Sequence, residues 1–226
     1  IRLGFIENEI SERQKINDST FLYQFHLGKR TDFIHIYIGS NSELKLLHII
    51  DTKNDTLILP FSETETFLNT TLNKLESIGY SLARIKLINF KKTGPFLFAE
   101  LYAETGKQRQ LNDIVIVGYD KFSEGHKRNI KRLYKNKTFN QENLKKIHDD
   151  FEKFRFVHQT KYPEILFTKD TTKVYVYLEK TKSNKYDGYI GFSNDEKSKR
   201  GFNGYLDLLL VNTLNVGEDF TLYWKS

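Results

Sequence analysis

Six histidines and no cysteine are the starting material for metal or nucleophilic chemistry in this 226-residue chain. Without Cys, disulfides, thiolate metal sites and cysteine nucleophiles are excluded. His148-Asp-Asp150 has the residue types of a metal cluster. On a helix, however, consecutive side chains point to different faces, so this triplet reads as a solvated helix surface. His26 and His35 fall on strand patterns, where packing or surface roles are the ordinary ones, and His48, His126 and His158 are scattered. No Gly-x-Ser-x-Gly elbow, P-loop or paired-carboxylate motif is present. Gly188-Tyr-Ile-Gly191 is too short and wrongly placed for a nucleotide fingerprint. The residues form no catalytic constellation, and the expectation is a protein that is not an enzyme and carries neither metal nor cofactor.

Charge is the next resource. Lys and Arg number 35 against 29 Asp and Glu, a net charge of +6. A basic surface fits anionic partners such as lipid head groups or nucleic acid. Lys127, Arg128, Lys131, Arg132 and Lys135 form the only dense cluster. No nucleic-acid recognition motif accompanies it, so nucleic acid is not an expected partner. Two readings stay open for the cluster: a plain solvated helix face opposite Ile130 and Leu133, or a contact with anionic lipid head groups.

These residues need elements to hold them. The chain has 13 Tyr and 18 Phe but only three Pro, which points to extensive β-structure. It holds enough apolar residues to bury cores. No Met occurs anywhere, not even at position 1, so the chain is expected to be a processed or trimmed piece. No run of about 18 apolar residues appears, which argues against a transmembrane helix but not against membrane β-strands.

The most legible stretch runs over 111–180. Asp113-Ile-Val-Ile-Val-Gly118 is a buried strand closed by glycine. A helix follows from about Ser123, with Ile130, Leu133 and Tyr134 expected on one face. Asn140 is a good N-cap for a second helix, along which Leu144, Ile147, Phe151 and Phe154 repeat at helical spacing. Two strands close the unit, at 155–162 and at 173–179, where Val174, Val176 and Leu178 alternate with Tyr175 and Tyr177. Earlier in the chain, a hairpin is expected around Asn17-Asp-Ser19, with Phe21, Tyr23 and Phe25 on one face, and then a strand with Ile34, Ile36 and Ile38 inward. Residues 40–60 are least readable: a helical turn at Leu44, Leu46 and Leu47, and a short extended piece at 56–59. Ser62-Glu-Thr-Glu65 has the pattern of a capping box. Its helix ends at Gly79 and leads into strands at 82–90 and 96–104.

A repeat emerges from this order. Leu3-Gly-Phe5 matches Ile78-Gly-Tyr80, and each is followed by a hairpin and a strand ending in glycine. Gly4 and Gly79 are 75 residues apart, and Gly39 and Gly118 are 79 apart. A strand–helix–helix–strand–strand unit of roughly that length therefore recurs. The expected division is 1–30 as the C-terminal part of a first unit, 31–106 as a second, 107–182 as a third, and 183–226 as something different. That tail alternates: Leu206, Leu208 and Leu210 lie on one face of a strand, Tyr205, Asp207 and Leu209 on the other. Periodicity alone fits both an outer-membrane barrel and a soluble β-meander.

The order of parts resembles the POTRA-domain outer-membrane assembly and translocation family, the BamA-like and TamA-like proteins. Tandem units of this kind look like POTRA domains. Asp187-Gly-Tyr-Ile-Gly-Phe192, Gly204-Tyr-Leu-Asp-Leu208, Asn212 and Gly217-Glu218 are similar to the first strands of that family's barrel and the turn after its second strand. The resemblance covers nearly the whole chain and rests on order rather than on one sharp motif. Residues 40–61 are an unusual insertion for a POTRA unit.

The resemblance implies an α+β fold of tandem POTRA-like β-α-α-β-β units, followed by antiparallel strands of an incomplete transmembrane β-barrel. It implies a bacterial outer-membrane location, with the units in the periplasm. The function implied is assembly or translocation of client proteins, unfolded outer-membrane or secreted chains, captured by β-augmentation at open sheet edges. Periplasmic accessory proteins and outer-membrane lipid are the other implied partners. The expected client edges are Arg155, Phe156, Val157, His158, Gln159, Thr160 and Lys161 in the third unit and Leu82, Arg84 and Lys86 in the second. The competing reading is that Arg84, Lys86 and Lys161 merely protect these edges by charge. Gly188, Tyr189, Ile190, Gly191 and Phe192 would form a gate strand that pairs weakly and opens for clients. In that arrangement 193–200 is an external loop and 212–218 a periplasmic turn. The alternatives are a periplasmic docking adaptor, or the transport part of an exported hydrolase fused to such a barrel.

Overall fold

The two periodicities of the sequence become two kinds of layer in the computed structural model, which describes residues 4–39, 43–50, 54–193 and 201–226. The chain divides into two compact units, Ile1–Gln108 and Arg109–Ser226.

The first unit opens with the expected hairpin, β1 (Glu9–Lys15) antiparallel to β2 (Phe21–His26). Phe21, Tyr23 and Phe25 share a face, and all are exposed. The Arg13 guanidinium lies over the rings of Phe21 and Tyr23, 5.0 and 5.7 Å from their centroids. Then come β3 (Phe33–Tyr37), α1 (Glu43–Leu46), β4 (Thr56–Pro60), α2 (Thr64–Ser77), β5 (Arg84–Thr93) and β6 (Phe96–Glu104). The sheet order is β4-β3-β6-β5, with β3 parallel to β6 and the other pairs antiparallel. Ile34, Ile36 and Ile38 point inward as their alternation demands, onto Leu44, Leu59, Leu75, Leu97 and Ala99.

Two details of this unit differ from expectation. The Ser62–Glu65 capping box does not form. Phe61–Glu63 makes a 3-10 turn instead, and the N-cap of α2 is Glu63, with no side-chain cap bond. Pro60 ends β4 directly before that turn and leaves Ser62 inside it, one residue too early to cap. The insertion does form the helical turn and the extended piece read from the sequence. Its described part gives α1 and β4, and β4 extends the sheet by pairing with the otherwise open edge of β3. Finally, Leu82 lies in a turn before β5.

The second unit contains β7 (Asp113–Val117), α3 (Glu124–Tyr134), α4 (Gln141–Glu152), β8 (Val157–Gln159), β9 (Glu164–Phe167), β10 (Thr172–Lys180), β11 (Lys185–Ser193), β12 (Gly201–Val211) and β13 (Asp219–Lys225). β10 is central: it runs parallel to β7 and antiparallel to β8 and β9. Both helices cover one face through Ile130, Tyr134, Leu144, Ile147 and Phe151, packed on Ile114, Val174, Val176 and Leu178. The Asn140 side chain caps α4 by accepting from the Asn143 amide at 2.8 Å.

Two expectations fail here. Leu133 is 49% exposed, because the buried stripe of α3 runs through Ile130 and Tyr134. The strand expected over 155–162 is much shorter. Arg155 and Phe156 lie in a turn, and only Val157–Gln159 pair as β8. Thr160 and Lys161 bend away, Pro163 has no N–H to give a ladder, and pairing with β10 resumes as β9.

The last three strands form an open antiparallel sheet in the order β11-β12-β13. No closed barrel is seen among the described residues. No helix among them is long and apolar enough to cross a membrane, which leaves strand spans untouched.

Candidate functional site

The three-stranded sheet sorts its residues by face. The register pairs Leu206 with Gly188 and Trp224, Leu208 with Tyr186 and Leu222, and Leu210 with Phe220. Directly opposed residues share a face, so Ile190 and Phe192 extend the same apolar surface. The opposite face carries Asp187 paired with Asp207, Tyr189 with Tyr205, and Thr221, Tyr223 and Lys225 on β13. The Tyr205 hydroxyl donates to Asp187 at 3.0 Å. Apolar residues are not hidden on the first face: Tyr186 and Ile190 are each 69% exposed, and Phe220 is 51% exposed. β12 has eleven residues, the length of a tilted membrane strand, about 9–11.

Gly188 and Gly191 of the expected gate strand sit where β11 and β12 approach closely. A Cβ on Gly188 would lie 2.6 Å from the Tyr205 carbonyl oxygen. Gly188 therefore allows close approach of two backbones, whereas a Cβ on Gly191 would meet the Asn203 side-chain oxygen at 2.5 Å. Tyr189 stacks edge-on against Tyr205, with ring centroids 5.2 Å apart. The expected external loop at 193–200 lies outside the described residues but for its first one.

At the other end of the sheet, the 212–218 turn packs against the start of α3. Asn212, 3% exposed, donates to the Tyr119 hydroxyl at 3.1 Å and accepts from the Gly217 amide at 2.8 Å. The Glu218 carboxylate accepts from the Leu214 and Val216 amides. These bonds, the Leu214 amide first, hold its pKa below the ordinary glutamate value.

The client edges expected from sequence are unequal. β5 presents ten residues on the outer edge of its sheet, with a bulge near Asn89, whereas β8 presents three. Arg84 and Lys86 lie on β5 and point to the exposed face, where Lys86 sits 5.1 Å from the Tyr102 ring centroid. Lys161 pairs with Glu164 at 2.5 Å and lies over the Tyr177 ring. That open sheet face of the first unit also carries Phe33, Tyr37, Ile58, Phe96 and Phe98, all exposed, a patch the sequence reading missed. Alternation along β3 and β6, with both residue sets apolar or aromatic, was the signal that could have found it.

The basic cluster is partly neutralised. Lys127 pairs with Glu124 at 3.2 Å, Lys131 with Asp113 at 2.8 Å, and Arg132 donates to Asn129. Arg128 and Lys135 are exposed. Arg128 and Lys121 line a cleft of about 500 Å³ together with Ser123, Glu124, Asn215 and Val216, at the junction of helix and turn. His148 packs against Tyr162, and Asp150 accepts from Tyr134 at 2.6 Å and pairs with Lys153, so the triplet's side chains diverge. Burial, and then the Asp150 bond, push the Tyr134 hydroxyl well above its ordinary pKa. Burial works against ionised Asp150, but bonds from Lys153 and Tyr134 prevail and hold its pKa down.

No family model and no curated protein matches the chain. Solved structures do. BamA from Haemophilus ducreyi lacking POTRA domains 1–3 aligns with a TM-score of 0.51 at 16% identity, over 83% of this chain and 35% of that one. BamA POTRA3–5 from Haemophilus influenzae aligns at 0.45 and 18% identity, over 78% and 74% of the two chains. CdiB from Acinetobacter baumannii aligns at 0.44 and 13%, over 82% and 35%. Of these three the Haemophilus ducreyi structure has a TM-score above 0.5, and the chain spans about a third of its length. The resemblance to POTRA-containing BamA-like proteins read from the sequence is thus shown at the level of fold: this chain has the α+β, POTRA-like architecture of that BamA structure.

Proposed function

We propose that this chain is the periplasmic POTRA region and barrel start of a bacterial outer-membrane protein that assembles or translocates client proteins. The observation that carries the proposal is the sheet β11-β12-β13, with one apolar face, exposed at Tyr186, Ile190, Phe220, Leu222 and Trp224 and half-buried at Leu208 and Leu210, and one face bearing Asp187, Asp207 and tyrosines. A soluble meander would bury its apolar face against a core; a membrane strand turns it to lipid. The fold shared with the Haemophilus ducreyi BamA structure supports the same reading. In this reading the 212–218 turn is periplasmic, because it packs beside the last POTRA-like unit. Clients add to an open sheet edge as an extra strand, and the ten residues of β5 make it the better template. Residues 188–192 form the gate strand, and Lys121 and Arg128 lie close enough to the turn to meet lipid phosphates. No enzymatic activity is part of the proposal. Photocrosslinking from Ile190 to a stalled precursor in whole membranes tests it; absence of any crosslink would count against client passage at this strand.

A second reading, a periplasmic docking adaptor, is favoured by the exposed aromatic face of the first unit. Pull-down with unfolded barrel precursors and with folded periplasmic proteins separates the two, since an adaptor retains only the folded partners.

A further inference from the structure

The residues that carried the resemblance at the tail include Asn212 and Gly217, and their surroundings give them a task. We infer that the 212–218 turn is a lock that fixes the orientation of the last POTRA-like unit on the barrel start, with Tyr119, Ser123 and His126 as positioning residues. This inference rests on the barrel reading for its functional meaning, but not for its geometry.

Four observations converge. Ser123 stands at the N-cap of α3, where a serine hydroxyl ordinarily accepts from a helix amide. Here it makes no such bond and donates instead to the Val216 carbonyl at 3.0 Å, while only 3% exposed. Asn212 is equally buried, holds the Tyr119 hydroxyl, and adopts a positive φ of 50°. Gly217 has a φ of 85°, and any Cβ there would overlap the His126 ring. That ring is itself held edge-on against Phe154 at 5.0 Å. Finally, Val211, the last residue of β12, is 5% exposed inside the hydrophobic core of the POTRA-like unit, and Leu209 packs against the same core.

Two polar contacts reinforce the base. The Val211 amide donates to the Asn184 side chain at 2.9 Å, and Arg155 meets Asp219 at 3.4 Å. A plain tether between two domains would leave the turn polar and hydrated. Here the end of β12 contributes an apolar residue to the neighbouring core, and the turn that follows places Asn212 and the Val216 carbonyl on that neighbour's side chains. Such a contact selects one arrangement rather than a range of them.

The test uses the full-length protein with Lys145→Cys on α4 and Lys225→Cys on β13, both exposed positions, spin-labelled for pulsed dipolar distance measurement. This chain has no cysteine of its own to interfere. The parent should give one narrow distance peak. Tyr119→Phe with Ser123→Ala removes two bonds without adding bulk. It should lower the docked-to-undocked ratio about tenfold or more and broaden the peak. Gly217→Val should do the same by clash, and the first pair of substitutions stands alone if the valine variant does not fold. A broad peak in the parent, or an unchanged narrow peak in the Tyr119→Phe, Ser123→Ala variant, overturns the lock. Membrane insertion is scored on the same samples by protease protection. Failure to insert with a narrow peak would defeat the barrel reading and leave the lock standing.

Discussion

Phe151 is the side chain on which the second unit's core depends most visibly. It is fully buried on α4, with ring centroids 5.7 Å from Phe122 and 6.1 Å from Phe154, among Leu144, Ile147, Val174 and Val176. Phe151→Ala removes the ring's transfer free energy and opens a cavity that the surrounding sheet and helices cannot fill, a cost of about 3–5 kcal/mol. For a unit of this size each kcal/mol shifts the melting temperature by roughly 4 °C, so the transition should fall by about 12–20 °C. Calorimetry on the whole chain measures it, and Leu75→Ala, in the core of the first unit, identifies which transition belongs to which unit. Leu133→Ala is the internal control. Its 49% exposure confines the cost to about 0.5 kcal/mol or less. A shift of only a degree or two for Phe151→Ala, or equal shifts for Phe151 and Leu133, would refute the assignment of the helix faces.

Further outcomes follow from the caps, the turn and the buried tyrosine. Asn140→Ala should cost about 1 kcal/mol and Ser62→Ala close to none, since only Asn140 caps a helix; denaturant melts distinguish them. The pKa of Glu218 is depressed in the folded turn, so its contribution is present above the unfolded glutamate value, about 4.3, and is lost as pH falls through the folded value. Amide exchange at Leu214 and Val216 should therefore lose protection on acidification below that range and hold steady at neutral pH. Tyr134→Phe removes a bond that favours ionised Asp150, so the Asp150 pKa should rise, as a carboxyl-resolved NMR titration would read.

Much of this architecture was legible because burial and periodicity agree. Ile34, Ile36, Val174 and Val176 alternate in sequence and are fully buried in the fold, and Asn140 both looks like a cap and is one. The failures have physical causes that a local pattern does not carry. Ser62 fits a capping box, but Pro60 sets the chain into a 3-10 turn one step earlier. The helix start at Ser123 was legible, but not the Val216 carbonyl, 93 residues away, that accepts the Ser123 hydroxyl's hydrogen bond. Of the edge strand read over 155–162 only Val157–Gln159 pair, because the chain turns before them and bends after them. Residues 56–59 read as a short extended piece, and nothing local says that β4 joins the far edge of the sheet, because strand pairing is a non-local property. The sheet's two faces were legible in β12 from its alternating leucines. Their continuity across β11 and β13 depends on register, which only the pairing reveals.

The central claim is that β11, β12 and β13 begin a membrane barrel with Leu206, Leu208, Leu210, Phe220, Leu222 and Trp224 toward lipid. The most direct measurement is a nitroxide scan of β13 in the full-length protein reconstituted in bilayers, comparing collisions with oxygen and with a water-soluble paramagnetic reagent. The account predicts a period of two: labels at Phe220, Leu222 and Trp224 favour oxygen, and labels at Thr221 and Tyr223 favour the aqueous reagent. A scan without alternation, or one in which the apolar positions are shielded from both reagents as in a soluble core, would contradict it.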